Sequence, residues 1–198
     1  MFRVVIALIF MQLTACSLSP SIKSKPVTLT FSEPKKIQFQ GKGAGAGIAL
    51  MSTMGPMGIA LGAAIDEGIA KNIRKAIEQE QADIQSQIKK QISLQLEQHG
   101  YSVLLASEKL AYPKIVIKRF GFKVTNGSTD ATAAEWDIEL QAGSGIKTTL
   151  NYPKDFKKDE INTYVLADLK NDGKLGLKLL LGSLVPVLDE VALRLSLK

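Results

Sequence analysis

The sequence predicts an α+β protein: an antiparallel β-meander packed against a long helix and C-terminal helices, preceded by a glycine-rich helical hairpin. Three observations predict this class. Apolar residues recur at helical spacing between residues 65 and 96, short β-type runs follow between 102 and 152 with apolar and polar residues alternating in the last two, and helical spacing returns from residue 159. One face of the meander is expected to lie against the core.

An export signal precedes these elements. Arg3 is followed by an apolar run, Val4 to Met11, which is far shorter than the roughly 20 residues that a membrane-spanning helix needs. The run ends in Leu13-Thr14-Ala15-Cys16, and this tetrapeptide resembles the lipobox of bacterial lipoproteins. Residues 1–15 are therefore predicted to be a cleaved signal peptide.

The lipobox resemblance implies a lipid anchor at Cys16. In that family the cysteine thiol receives a diacylglycerol and the new amino group receives a further acyl chain, and three chains hold a protein at a membrane almost permanently. Ser17 stands where an Asp would retain such a protein at the inner membrane, so the resemblance implies an outer-membrane protein, which we expect to face the periplasm. No other cofactor is predicted.

The rest of the chain reads as a tether and one domain. Cys16 is the only cysteine, so no disulfide is available and stability must come from a packed core. Residues 16–26 are small, polar and proline-bearing, which predicts a tether, and residues 27–198 are long enough for a single α+β domain. The formal net charge of +6 suits a protein beside an anionic lipid surface, but the lysines are scattered, as on a solvated surface, and nucleic acid is an implausible partner outside the cytoplasm.

Each element has a local signal. VTLTF and KKIQFQ predict short strands separated by Ser32-Glu33-Pro34, and a long helix follows as far as His99, with a break expected near Gly62 to Gly68 because an unbroken helix would be about 65 Å long. The meander is assigned to SVLLAS, KIVIKRFGFKV, AEWDIELQ and GIKTTLNY, with turns at Asn126-Gly127 and Gly143-Ser144-Gly145. Acidic residues on the outer face of the Trp136 strand are expected to pair with neighbouring lysines, namely Lys118, Lys123 or Lys147.

The C-terminal part returns to helical spacing. A short amphipathic helix is predicted from Asp159 to a stop at Asn171-Asp172-Gly173. The last segment is apolar on nearly all sides up to Leu188, which predicts a buried helix that Pro186 kinks, with a strand over residues 192–198 as the alternative.

The sequence contains no recognisable set of catalytic residues. His99 is the only histidine and is expected to cap or flank the end of the long helix, so no triad or histidine-based metal site can be assembled around it. Asp137 and Glu139 share a strand face but alternate with apolar residues as surface positions do. A calcium loop beginning at Asp168 is rejected, because Leu179 stands where a bidentate Glu is required. We therefore predict no catalytic residues and no metal site.

The glycine-rich segment, residues 41–68, is the most unusual part of the chain and is called the hairpin below. Its start, Gly41-Lys-Gly-Ala-Gly-Ala, matches a dinucleotide-binding pattern, but the acidic residue expected on a second parallel strand is missing. Glycines four residues apart, with Gly55-Pro56 between the two pairs, predict two helical arms whose glycine faces permit close approach. The glycines are Gly43 and Gly47 in the first arm and Gly58 and Gly62 in the second.

Each arm of the hairpin is about 18 Å long, too short to cross a hydrocarbon core of roughly 30 Å. The hairpin could therefore pack on its own sheet, dip into one leaflet, or contact a partner through the four glycines. Such segments resemble those of several envelope lipoproteins, including the surface-exclusion lipoproteins of conjugative plasmids. The expected function is a non-enzymatic accessory or scaffold in envelope assembly or a transport complex, with envelope proteins as partners. The alternatives are a membrane-active or homo-oligomeric protein that inserts the hairpin and, third, an envelope enzyme.

Overall fold

The computed structural model describes residues 24–32, 35–81, 83–105, 112–125, 128, 130–141 and 145–197. The predicted signal peptide, the lipid acceptor Cys16 and most of the predicted tether lie outside the described residues. The same holds for the expected turn at Asn126-Gly127 and for Gly143-Ser144.

Within the described ranges the chain forms seven strands, five α-helices and one 3₁₀ turn. In chain order these are β1 (Lys25–Phe31), β2 (Gln38–Gln40), α1 (Lys42–Met54), α2 (Pro56–Gln79), α3 (Ile84–Gln98), β3 (Tyr101–Leu105), β4 (Lys114–Val124), β5 (Ala131–Gln141), β6 (Lys147–Tyr152), the 3₁₀ turn (Lys158–Glu160), β7 (Thr163–Val165), α4 (Leu166–Asn171) and α5 (Gly173–Ser196).

The α+β class is confirmed, and the sheet is mixed rather than purely antiparallel. Its main strand order is β3-β1-β4-β5-β6, with β2 also paired to β4 and β7 to β5. Strand β1 is parallel to β3 and to β4, and β2 is parallel to β4. Only β4, β5 and β6 form the predicted meander. The expectation for β3 was wrong because β1 lies between β3 and β4, and parallel neighbours need a long crossover, which the helices supply here.

The core lies between the sheet and the helices that cover one face. Helices α2 and α3 both pack against α5, and α5 also contacts β5. Trp136 is fully buried and stacks on Phe120 with ring centroids 5.8 Å apart. Its indole N–H donates to the Ser183 hydroxyl of α5 at 2.7 Å, so the one polar atom of this side chain has a partner inside the core.

The long helical region breaks at a different place from the predicted one. Helix α2 continues through Gly62 to Gly68, and the chain turns only after Gln79, where Gln81 has φ of 54°. Helix α3 then starts behind Asp83, whose carboxylate accepts the backbone N–H of Ser86 at 3.2 Å. The break near Gly62 was a wrong expectation because Gly62 is packed against α1, and that contact holds the helix where glycine alone would weaken it.

The C-terminal elements follow the predicted order with one difference. Residues from Lys158 onward form the 3₁₀ turn and β7 before a shorter helix, α4, so the amphipathic helix begins later than predicted. The predicted stop at Asp172 is present, and its carboxylate accepts the Leu175 N–H at 3.0 Å, which caps α5. Helix α5 is buried along one face and runs through Pro186, so the alternative of a terminal strand was wrong.

Candidate functional site

The hairpin consists of two helical arms joined by a tight turn, as predicted. Helix α1 ends at Met54, and Gly55 adopts a positive φ of 56°, a conformation that glycine takes at little cost. Pro56 then starts α2, where its missing N–H leaves no hydrogen bond broken. The turn predicted at Gly55-Pro56 is confirmed.

All four predicted glycines are buried between the two arms. A β-carbon placed on Gly58 would lie 2.7 Å from the carbonyl carbon of Leu50, and one on Gly43 would overlap the carbonyl oxygen of Gly62. The arms therefore touch backbone to backbone, and no other residue fits at these positions without moving them apart. Because the arms use this glycine surface on each other, any outside contact must be made by their remaining side chains.

Asp66 closes the base of the hairpin. Its carboxylate accepts the backbone N–H of Gly43 at 2.6 Å and that of Gly41 at 3.2 Å. The first N–H groups of a helix have no carbonyl acceptor within the helix, and the Asp66 carboxylate supplies one at the start of α1. Its negative charge also interacts favourably with the positive end of the helix dipole. The position that a phosphate would occupy in a dinucleotide-binding fold is thus filled by a side chain of the protein itself.

Ion pairs fix the hairpin base to the body, and the residues that form them are called the collar. Lys42 pairs with Asp130 at 2.8 Å, and Glu67 pairs with both Lys36 (3.0 Å) and Arg74 (2.6 Å). Hydrogen bonds from Lys36 and then Arg74 lower the pKa of Glu67. The Arg74 guanidinium also donates to the backbone carbonyl of residue 37 at 2.6 Å, so α2 is held to the segment that leads into β2.

The hairpin projects beyond the end of the sheet. Asp66 lies beside Gly41 and Gly43, just after β2, whereas Arg74 lies beside Ile37, just before it. Helix α2 therefore runs antiparallel to β2, and the part of α2 before Asp66 lies past the last residue of that strand. Helix α2 enters the core only beyond the hairpin, with Ala70, Ile73 and Ile77.

The outward surface of the hairpin is apolar and exposed. The segment from Gly43 to Ile65 carries no charged residue. Large side chains on both arms and at the turn are accessible: Ile48 (73%), Met51 (52%), Met54 (46%), Met57 (66%), Ile59 (55%), Leu61 (44%) and Ile65 (36%). Contiguous exposed apolar surface of this kind marks a contact site in most folded proteins.

The few polar side chains of this surface bond within their own helix. The Ser52 hydroxyl donates to the carbonyl of Ala49 at 3.0 Å, and the Thr53 hydroxyl donates to that of Leu50 at 3.1 Å. These hydroxyls consequently need no water to donate a hydrogen bond, which lowers the cost of placing them in an apolar environment.

The other candidates from the sequence form structural contacts. His99 follows α3, and its Nε2 lies 2.8 Å from Asp189 Oδ1 on α5. Glu139 lies 3.3 Å from Lys118 and 3.4 Å from Lys147, while Lys123 lies 3.8 Å from Glu135, so the predicted pairing of acids with lysines is confirmed.

The sequence analysis missed that one of the acidic residues on the outer face of the sheet, Glu135, is buried and pairs with an arginine. Glu135 is 5% exposed, pairs with Arg119 at 3.0 Å and has its pKa raised by burial. Asp66 was missed as well, because its partners lie 23 and 25 residues away and no local motif joins them. The described residues contain no cluster of three metal-ligating side chains.

Two further findings bear on the hairpin and on the whole chain. No helix in the described ranges is both long and apolar enough to cross a membrane. Comparison of the chain with protein-family models, with curated proteins and with solved structures gives no match.

Proposed function

We propose that this chain is a non-enzymatic lipoprotein of the outer membrane that is held by lipid at Cys16 and acts by contact through the hairpin. The contact we propose is insertion of the hairpin into one leaflet of a lipid bilayer. One observation carries this proposal: the exposed surface from Gly43 to Ile65 is uncharged and apolar on both arms and at the turn.

The distribution of apolar side chains favours lipid. A protein partner usually covers one face of a helix pair, and the opposite face then stays polar. Here large apolar side chains are exposed on both arms: Ile48 and Met51 on α1, and Ile59 and Leu61 on α2. Acyl chains can surround a hairpin of this kind on every side. Full burial of a side chain of this size is worth about 1.5–3 kcal/mol.

The length of the hairpin also fits a leaflet. From Gly43 to Met54 the arm rises about 17 Å, and one leaflet contributes about half of the roughly 30 Å hydrocarbon core. The collar begins where this apolar length ends, so its charged side chains, Lys42 among them, would lie at the headgroups. The arms need not cross the membrane to bury their exposed residues.

A second candidate is contact with an envelope protein or a second copy of the chain, which would make the lipoprotein a scaffold. The specific observation in its favour is the run of exposed methionines at the turn, Met51, Met54 and Met57, because flexible thioether side chains adapt to varied protein surfaces.

Vesicle flotation tests the proposal. The mature chain, residues 16–198 without lipid, should float with phosphatidylcholine–phosphatidylglycerol vesicles, and both Met57→Asp and Ile59→Asp should abolish flotation, because a charge within the bilayer costs about 2.5–3.5 kcal/mol. Leu193→Asp is the matched control, since Leu193 is 53% exposed on α5 and Ile59 is 55% exposed. Flotation lost equally in the control, or absent in the parent protein, would contradict leaflet insertion. A parent that stays in solution yet self-associates through the same two residues would favour the scaffold.

A further inference from the structure

We infer that the hairpin enters a bilayer other than the one that holds the Cys16 lipid, so that the protein joins two lipid surfaces. This inference rests on the proposed function, namely the lipid at Cys16 and leaflet insertion by the hairpin. It follows from the positions of Lys25, where the first strand begins, and of the hairpin base at opposite ends of the sheet, and from the number of residues between Cys16 and Lys25.

The first step is the length of the sheet between these points. Strands β1 and β2 lie end to end along one edge of β4, with Thr28 beside Lys114 and Gln40 beside Lys123. Nine residue steps along β4 lead from Lys114 to Lys123, and three along β1 lead from Lys25 to Thr28. At about 3.3 Å per residue, these 12 steps place Lys25 roughly 40 Å from the base of the hairpin.

The second step is the direction of the hairpin. Helix α1 leaves the end of β2, and α2 returns antiparallel to that strand with Asp66 at the base. The turn at Gly55 therefore lies farther from Lys25 than the base does, by up to about 18 Å of helix. The collar ion pairs of Lys42 and Glu67 hold this direction.

The third step is the reach of the tether. Nine residue steps join Cys16 to Lys25, and even a fully extended chain covers at most about 32 Å in that number. If the hairpin enters a membrane turn first up to its base, with β2 and β4 along the membrane normal, Lys25 stands roughly 40 Å from that membrane. A lipid on Cys16 cannot then lie in the same leaflet, so a hairpin inserted to its base is in a second bilayer.

A lipid anchor can be attached chemically at Cys16 in vitro, because this is the one cysteine of the chain. The mature chain is coupled through that thiol to maleimide-bearing lipid in donor vesicles, and plain phosphatidylcholine–phosphatidylglycerol vesicles are added as acceptors. Met57→Trp supplies an indole at the turn, and the buried Trp136 of the parent protein gives the background signal. Brominated lipid, which quenches indole emission on contact, is placed in the donor or in the acceptor vesicles only.

We expect donor and acceptor vesicles to cluster and the introduced indole to lose emission only when the brominated lipid is in the acceptors. Quenching by brominated donors would overturn the inference, since the hairpin would then reach its own bilayer. A Gly/Ser insertion of about 30 residues after Ser17 extends to about 100 Å and should move the quenching to the donors. If quenching stays confined to the acceptors with this insertion, tether length does not decide the target and the inference fails.

Failure of the inference is distinguishable from failure of the proposed function. If the uncoupled mature chain floats with vesicles but the coupled chain is quenched by neither population, insertion into a second bilayer is overturned and leaflet insertion stands. If the uncoupled chain does not float at all, leaflet insertion and insertion into a second bilayer are both refuted. Ile59→Asp, coupled in the same way, should lose both clustering and quenching, whereas Leu193→Asp should retain them.

Discussion

Gly43 and Gly62 face each other across the hairpin so closely that a β-carbon on either residue would overlap the backbone of the other. The contact joins α1 to the part of α2 that precedes Asp66, and the large apolar side chains of both parts are exposed.

Alanine substitutions should separate the two kinds of glycine in the hairpin. Gly58→Ala forces a β-carbon against the Leu50 backbone, and we expect it to destabilise the hairpin by about 1–3 kcal/mol. Gly45→Ala is the matched control, since nothing lies within 4 Å of its β-carbon position and alanine in a helix gains about 0.5–1 kcal/mol over glycine. Amide hydrogen exchange in residues 42–65 measures both changes. The same sign for the two variants would contradict the backbone contact.

Removal of the Asp66 carboxylate should loosen the start of α1. Asp66→Ala leaves the Gly41 and Gly43 N–H groups without their acceptor, and loss of such a cap costs about 0.5–2 kcal/mol. Asp66→Asn keeps an acceptor without the charge and should lose less. Hydrogen exchange at Gly43 is the measurement, and Glu78→Ala, an exposed substitution on the same helix, is the control. Unchanged exchange in Asp66→Ala would rule out this cap.

Ser183→Ala should destabilise the core. The substitution leaves the buried Trp136 indole N–H without an acceptor, and an unsatisfied buried donor costs about 1–3 kcal/mol. Urea unfolding followed by tryptophan emission gives the free energy of unfolding. Ser196→Ala is the control, because the Ser196 hydroxyl makes a similar bond to the carbonyl three residues earlier but is exposed. A loss of the same size in both variants would count against the indole bond.

Glu139 should remain ionised to unusually low pH. A hydrogen bond donated by the Gln141 amide, together with Lys118 and Lys147, lowers its pKa from 4.5 to about 2. Because the pKa is depressed in the folded state, the stabilisation is present above the ordinary pKa and is lost as the pH falls from about 4.5 through about 2.

The Glu139 titration can be followed by NMR at its carboxyl carbon. Gln141→Ala should raise the midpoint toward 4.5, because the largest cause of the shift is removed. Gln95→Ala removes an amide that is bonded to Asp189 instead, and it should leave the Glu139 midpoint where it was. A midpoint near 4.5 in the unsubstituted protein would show that the amide bond and the lysine pairs do not act on this carboxylate.

The hairpin and the element types were predictable because their signals are local. Four-residue glycine spacing and the Gly55-Pro56 turn need only neighbouring residues, and so does the buried C-terminal helix. The position of β1 between β3 and β4 depends on pairing across more than 70 residues, which no local pattern encodes. The helix break was misplaced for the same reason, since the partner of Gly62 is Gly43 on the other arm.

Helix α2 gives the hairpin a mechanical link to the core. This helix of 24 residues begins at the exposed turn, and near its other end Ala76 and Ile77 pack against Gly173, where α5 begins. A load applied at the turn is therefore carried by the hydrogen bonds of a single helix into a close-packed interior, with no hinge between the two. Helix α2 thus couples the hairpin mechanically to the core, and a force on the turn reaches the contact between α2 and α5.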